Sequence, residues 1–265
     1  MTRIIIGQYY PTGSIIHRLD PRTKLLGTIF YITILLFANN FAGYAVAALF
    51  IAVIVALSKV PPILILRGLR AIFLILVIAS AINLFLTPGE TIIFQAGFIR
   101  LSLEGVIIAA QMITRLILLI IGSSVLTLTT SPIQLTDGIE SLLKPLKRIK
   151  IPSHDIAMLM TIALRFIPTL ADEMDKIIKA QKARGADFDT GSLKKRAKSL
   201  IPILVPLFVS AFKRADELAT AMEARCYRGD INRTKMKEMK MSPKDFTAMG
   251  LIIVFCSLVV LTRVL

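Results

Sequence analysis

Two arginines occupy matching positions in an internal repeat. The segments "DKIIKAQKARG" (175–185) and "DELATAMEARC" (216–226) align at an offset of 41 residues, which superimposes Arg184 on Arg225. In each segment the arginine follows an alanine and precedes a small residue. A guanidinium can form two parallel hydrogen bonds with a carboxylate, and small neighbours allow a partner backbone to come close. The spacing therefore predicts two recognition sites rather than a catalytic site.

A simpler interpretation applies to each arginine taken alone. A cation in the last turn of a helix is favoured by the helix dipole without any partner. Capping does not explain why alanine, arginine and a small residue recur at the same distance from an aspartate. In each segment an alanine four residues before the arginine lies on the same helix face, namely Ala180 or Ala221. The repeat therefore favours a paired docking function.

Other chemistry is not indicated by the residue patterns. The sequence contains no G-x-x-x-x-G-K-[ST] loop, which argues against ATP binding by that route. His17 and His154 are isolated, and Cys226 and Cys256 provide neither a disulfide framework nor a metal spacing. We expect no catalytic residue, no bound cofactor and no metal site in this chain.

The elements that must position the two arginines belong to a membrane protein. The chain has 265 residues, 55% of them hydrophobic, and its mean hydropathy is +0.73. A bilayer span needs about 20 mostly apolar residues. Long uncharged runs predict five transmembrane helices, at about 24–38, 44–57, 71–86, 105–128 and 246–262. The expected fold class is an all-α polytopic membrane protein with about five transmembrane helices and long cytoplasmic helices.

Charge predicts the topology. The net charge is +15, and residues 131–243 hold 21 of the 32 Lys and Arg residues. Positive residues concentrate on the cytoplasmic side of membrane proteins, so we expect the N-terminus and 131–243 in the cytoplasm of a cell-membrane protein. A nucleic-acid partner is not expected, because the basic residues flank spans. The predicted domains are 1–130 (membrane), 131–243 (cytoplasmic or interfacial) and 244–265 (a final span).

The region 131–243 has helical patterning of its own. Ser131, Ser153 and Ser192 are the predicted N-caps of three helices, and Gly185 and Gly229 are the predicted stops of the second and third.

Two apolar stretches, 156–164 and 200–212, could be two further spans. That topology would place a lysine-rich link outside, against the positive-inside trend. We therefore expect both helices at the cytoplasmic membrane interface.

Arg115 is the exceptional ionisable residue within a predicted span. A central arginine costs roughly 2.5–3.5 kcal/mol on insertion scales, so it should face other helices and have a partner. Few other polar groups lie in the spans, which argues against a solute path through this bundle. A self-sufficient channel or secondary transporter with a lipid-anchoring basic loop is the alternative, and Arg115 is its best candidate residue.

Four motifs in order along the chain resemble one family. They are "LDPRTKL" before the first span, "TLTTSP" after the fourth, "ALRFIPTL" in the first long helix, and the two Ala-Arg endings. Together they are similar to the transmembrane (T) component of energy-coupling factor transporters, the EcfT/CbiQ family. The resemblance implies a non-catalytic coupling subunit that joins two ABC-type ATPases to a substrate-binding S component for vitamin or metal-ion uptake.

The resemblance also implies site residues. One ATPase would contact the first helix end and the other the second, through Ala183, Arg184, Gly185, Ala224, Arg225 and Cys226. Cys226 departs from the glycine or serine more usual in the family, and its small size is expected to preserve the contact. ATP would be bound by the partner ATPases.

Overall fold

The computed structural model describes residues 9–86, 91–96, 99–145, 152–186, 188, 192–229 and 241–264. The elements in chain order are α1 (Pro21–Phe37), α2 (Phe41–Ser58), α3 (Pro62–Leu86), β1 (Ile92–Ala96), β2 (Ile99–Ser102), α4 (Leu103–Thr129), α5 (Pro132–Leu143), α6 (Ser153–Ala183), α7 (Leu193–Ala224) and α8 (Pro243–Val264). The all-α membrane fold predicted from the sequence is confirmed. The described residues also include a short antiparallel β-hairpin, β1–β2, before α4.

The described residues divide into two compact units. The first comprises 9–142 and 241–264 and contains α1 to α4, the hairpin, α5 and α8. The second comprises the described residues of 143–229 and contains α6 and α7. These limits differ from the predicted domain limits at 130/131 and 243/244.

The core of the first unit lies between α1, α2, α4 and α8. Its fully buried apolar side chains include Leu35 and Ala47. Aromatic rings stack across three helices, with the Phe50 and Phe255 centroids 4.2 Å apart. A Cβ on Gly122 would lie 2.4 Å from a ring carbon of Tyr31, so α4 can approach α1 this closely only with glycine here. Small residues at such contacts are typical of helices packed in membranes.

Membrane-length helices are present in both units. Four described helices are long and apolar enough to cross a bilayer: α2, α4, His154–Ala183 of α6 and Pro243–Arg263 of α8. A fifth span arises if the two parts of α3, Pro62–Arg70 and Ile72–Leu84, count together despite a bend of 56°. At 17 residues, α1 is at the lower limit for a span. The protein is therefore a multi-pass membrane protein, and an interfacial position for α6 remains a prediction.

Helix ends agree with the predicted caps in part. Ser131 precedes α5, and its hydroxyl accepts a hydrogen bond from the Gln134 amide (3.3 Å), while its own amide donates to the Gln134 side chain (3.1 Å). Ser192 is the N-cap of α7, as predicted. The prediction for Ser153 was wrong, because Pro152 is the N-cap and Ser153 is the first helical residue.

Candidate functional site

The first arginine-bearing end is the C-terminus of α6. The helix ends at Ala183 and Arg184 is its C-cap. Gly185 follows with a φ of +84°, in the left-handed region. The Ala186 amide donates to the Gln181 carbonyl (3.0 Å), and the Gly185 amide donates to the Lys182 carbonyl (3.0 Å). This pair of hydrogen bonds is the Schellman motif, which satisfies carbonyls that a helix end would otherwise leave free.

The second end, at α7, has the same geometry. Arg225 is the C-cap after Ala224, and Cys226 has a φ of +54°. The Tyr227 amide donates to the Met222 carbonyl (3.0 Å) and the Cys226 amide to the Glu223 carbonyl (2.8 Å). The predicted stop at Gly229 was therefore wrong. The helix ends five residues earlier because Cys226 adopts the left-handed conformation that glycine usually provides.

The small residue of the repeat thus has a backbone role that sequence reasoning missed. It is the position at which the chain leaves each helix in the left-handed conformation, which Gly185 adopts without steric cost. The signal was present in "ARG", since glycine is common just past a helix end. In "ARC" this signal is missing, because cysteine is not typical of the position just past a helix end.

The six predicted contact residues form two separate exposed surfaces. Each of them is exposed: Ala183, Arg184, Gly185, Ala224, Arg225 and Cys226. A Cβ placed on Gly185 would meet no atom within 4 Å. Within the described part of the chain, neither the Arg184 nor the Arg225 guanidinium has a hydrogen bond or ion pair. Both arginines are therefore available to an external partner.

The two ends lie at opposite ends of an antiparallel helix pair. Arg214 on α7 donates to the Glu173 carboxylate on α6, with a nitrogen–oxygen distance of 3.0 Å. Beyond the end of α7, the Tyr227 hydroxyl is 3.0 Å from the Met158 sulfur, near the start of α6. The C-terminal end of α7 therefore lies along the N-terminal part of α6.

A groove of about 590 Å³ adjoins the second end. Its floor is apolar and includes Met158, Ile162 and Leu218. Arg225 and Arg228 also line it. None of the lining residues that the structure describes is acidic, so this part of the groove suits an apolar side chain next to a carboxylate.

The motifs around α1 meet in a buried polar cluster, which sequence reasoning did not identify. The Asp20 carboxylate caps α1 by accepting from the Arg22 amide (2.9 Å). The Asp20 amide in turn donates to the Asp245 carboxylate at the start of α8 (2.7 Å). Asp245 is 1% exposed and also accepts from the amide and hydroxyl of Ser242 (2.7 and 2.8 Å). Asp20 and Asp245 thus join the first and last helices of the unit.

Lys24 connects the same cluster to the end of α4. Its ammonium donates to the carbonyls of His17 (3.0 Å) and Thr129 (3.1 Å) and is buried. "LDPRTKL" and "TLTTSP" are therefore adjacent in space, and their contacts hold α1 to α4.

Arg115 has the partners expected of an arginine within a span. Its guanidinium donates to the Ala38 carbonyl (2.8 Å) and the Tyr44 hydroxyl (3.0 Å), and it lies 5.8 Å from the Tyr44 ring centroid. The side chain therefore donates a hydrogen bond to the carbonyl at the C-terminal end of α1 and links α4 to the α1–α2 connection. The prediction that it faces other helices is confirmed.

These features define a multi-pass helical membrane protein that presents two exposed, arginine-bearing helix ends. The model of the CbiQ family, described as a cobalt transport protein, matches residues 12–236. The chain belongs to this family, that of the transmembrane component of energy-coupling factor transporters.

The relatives match along almost their whole length. The energy-coupling factor transporter transmembrane protein EcfT of Ruminiclostridium cellulolyticum is 54% identical over 258 residues, covering 97% of this chain and 96% of the relative. The protein of the same name from Clostridium kluyveri is 54% identical, covering 98% and 97%. That of Bacillus subtilis is 46% identical, covering 99% of both chains.

Proposed function

We propose that this chain is the coupling subunit of an ATP-driven importer. In this proposal it joins two ABC-type ATPase subunits to an S component that binds a vitamin or a metal ion. The ATPases bind ATP, and this chain transmits their motion without catalysing a reaction. The observation that carries the proposal is the pair of exposed arginines at opposite ends of one antiparallel helix pair, in a chain of this family.

The separation of the two arginines suits a two-fold partner. Each arginine is eleven residues from the Glu173–Arg214 contact, or about 16 Å along its helix at about 1.5 Å per residue. Because the helices are antiparallel, the two ends lie up to about 33 Å apart along the helix axes. A dimer of ATPases has two equivalent grooves, and each helix end would enter one of them. Two linked contacts bind far more tightly than either alone.

The local contact would use the exposed residues of both ends. Each guanidinium would pair with a carboxylate or carbonyl of the ATPase, while the preceding alanine and following small residue allow close approach. The residues proposed for one ATPase are Ala183, Arg184 and Gly185, and those for the other are Ala224, Arg225 and Cys226. We place these ends, the N-terminus and 131–243 on the cytoplasmic side of the cell membrane, where ATP is available.

Exposed apolar rows on the helix pair suggest where the S component or the membrane interface lies. On α7 these side chains include Leu204, Phe208 and Phe212, which are 46%, 61% and 72% exposed. On α6, Leu159 is 63% exposed. Apolar surface of this extent is typical of an interface with protein or lipid.

The test is co-purification with co-expressed ATPase subunits after Arg184→Glu, Arg225→Glu and the double substitution. Reversing a charge at a desolvated contact costs about 2–5 kcal/mol, which corresponds to a loss of affinity of roughly 30-fold to 5,000-fold. Lys213→Glu is the matched control, since it makes the same charge change at an exposed position of α7. We expect the double variant to lose both ATPases and substrate-dependent ATP hydrolysis. Retained binding and unchanged hydrolysis in the double variant would refute the proposal.

A second measurement separates this function from a self-sufficient transporter. The purified chain alone, in vesicles, should carry no solute flux, and flux should require the ATPases and the S component. Flux through the chain alone would overturn the coupling role.

A further inference from the structure

The Glu173–Arg214 ion pair joins equivalent positions of the internal repeat. The two residues are 41 apart in sequence, which is also the offset that superimposes Arg184 on Arg225. In a two-fold arrangement, a residue meets its own equivalent only at the symmetry axis. The pair therefore marks the point about which α6 and α7 are related by approximate two-fold symmetry.

The two side chains at this point carry opposite charges. Identical charged residues at a symmetry axis would repel each other, whereas this chain has a carboxylate on one helix and a guanidinium on the other. The side chains are partly buried, at 26% exposed for Glu173 and 36% for Arg214. A partly buried pair is screened by salt less than a surface pair. The two equivalent side chains at the crossing therefore attract each other, where identical charges would repel.

This position is equally far from the two arginine-bearing helix ends, eleven residues along each helix. Each docking arginine is about 16 Å from the pair along its own helix. A rotation of about 10° between the helices would move each end by about 3 Å over an arm of that length. Displacement of this size would be enough to misalign a hydrogen-bonded arginine.

We propose that Glu173 and Arg214 are positioning residues that hold the two docking arginines at the separation required to engage both ATPases at once. This inference rests on the proposed function. It adds that binding depends on the geometry of the helix crossing as well as on the arginines themselves.

The experiment uses single charge reversals and their combination. Glu173→Arg and Arg214→Glu each place like charges at the crossing, and the double swap restores an ion pair with inverted polarity. Glu173→Gln and Arg214→Gln remove the charge while keeping similar volume, so they provide milder variants if a reversal fails to fold. The matched controls are Asp172→Arg and Lys213→Glu, which are adjacent, exposed and also equivalent under the repeat.

The first readout is the distance between spin labels at Lys182→Cys and Glu223→Cys in the full-length chain, with Cys226 and Cys256 replaced by serine. These positions are exposed equivalents lying nine residues from the crossing, and their expected separation is about 27 Å along the axes. We expect each reversal to shift or broaden this distance and the swap to restore it, with no change in the controls. An unchanged distance in both reversals would overturn the proposal.

The second readout is capture of the co-expressed ATPase pair by the chain with its native cysteines. We expect each reversal to weaken capture at least tenfold, because simultaneous engagement is lost, and the swap to recover it. A swap no better than the single reversals would overturn the positioning role. The docking hypothesis and the positioning hypothesis can be refuted independently of each other. If Arg184→Glu with Arg225→Glu leaves capture intact, the docking proposal fails, while the label distance still tests the crossing without any ATPase.

Discussion

Replacing Cys226 with glycine should stabilise the end of α7. Cys226 has a φ of +54°, and a residue with a Cβ in the left-handed region costs about 1–2 kcal/mol. Glycine removes that cost but loses more conformational entropy on folding, by about 0.5–1 kcal/mol. The net gain is therefore about 0.5–1 kcal/mol, equivalent to a roughly 2-fold to 5-fold reduction in local opening.

The repeat supplies the reciprocal experiment. Gly185→Cys should destabilise the end of α6 by a similar amount, since no atom lies within 4 Å of the added Cβ and the effect is confined to the backbone. Ala224→Gly is a control at the same helix end, two residues before Cys226. It introduces glycine at a helical position, so it should loosen the end by up to about 1 kcal/mol.

The assay is hydrogen–deuterium exchange of the capping amides in the purified full-length chain. The amides of Cys226 and Tyr227 donate the two hydrogen bonds that close the α7 end, so their exchange reports its opening directly. We expect slower exchange in Cys226→Gly and faster exchange at the α6 end in Gly185→Cys. Exchange changing in the same direction in both variants would refute the argument that left-handed backbone geometry selects the small residue.

Three further predictions concern stability, measured by thermal unfolding in detergent. Arg115→Leu should cost about 1–3 kcal/mol, because it removes the guanidinium hydrogen bonds to the Ala38 carbonyl and to the Tyr44 hydroxyl, although the Tyr44 hydroxyl still donates to that carbonyl. A variant as stable as the parent would contradict this. Lys24→Met should cost about 3–5 kcal/mol, because it removes the buried hydrogen bonds to the His17 and Thr129 carbonyls and the positive charge that acts on the buried Asp245 carboxylate. The double variant with Asp245→Asn should cost less than the sum of the two single changes, and strict additivity would argue against their coupling. Gly122→Ala should cost about 1–3 kcal/mol, because the added methyl group would overpack against a tyrosine ring. The control Gly250→Ala, which has open space around it, should be neutral or stabilise the protein by up to about 1 kcal/mol. Equal effects would show that close packing is not what selects glycine at 122.

The membrane helices were largely predictable, because a bilayer requires long apolar runs and these runs are explicit in the sequence. Their ends were less so. The third span was predicted to begin at 71, which coincides with the 56° bend between Pro62–Arg70 and Ile72–Leu84, but α3 itself begins at Pro62 and includes Arg67 and Arg70. Charge limits how deep a segment can lie in a bilayer, but it does not interrupt the hydrogen bonds of a helix. A boundary drawn at a charge therefore shortens the helix.

The location of the two arginines at helix ends was also predictable, since the repeat and the flanking residues are local signals. The geometry of the second end was not, because a cysteine rarely takes the left-handed conformation. Contacts between distant segments could not be predicted from the sequence, for another reason. Periodicity indicates which face of a helix is buried but not which residue lies opposite, so neither the Asp20–Asp245 hydrogen bond nor the Glu173–Arg214 pair could be derived.

The hydrogen bond between Asp20 and Asp245 has a consequence for biogenesis. α8 is translated only after the whole of the second unit, roughly 100 residues after α5 ends. At about 5–20 residues per second, the ribosome needs about 5–20 s to make that interval. Throughout it, the earlier helices of the bundle lack α8 on one side, and Lys24 has only the first of its two neighbouring carboxylates, Asp20, because Asp245 has not yet been made. The nascent bundle must therefore persist in the membrane as an incomplete intermediate, and the insertion machinery or a lipid headgroup would have to shelter the open side until α8 arrives.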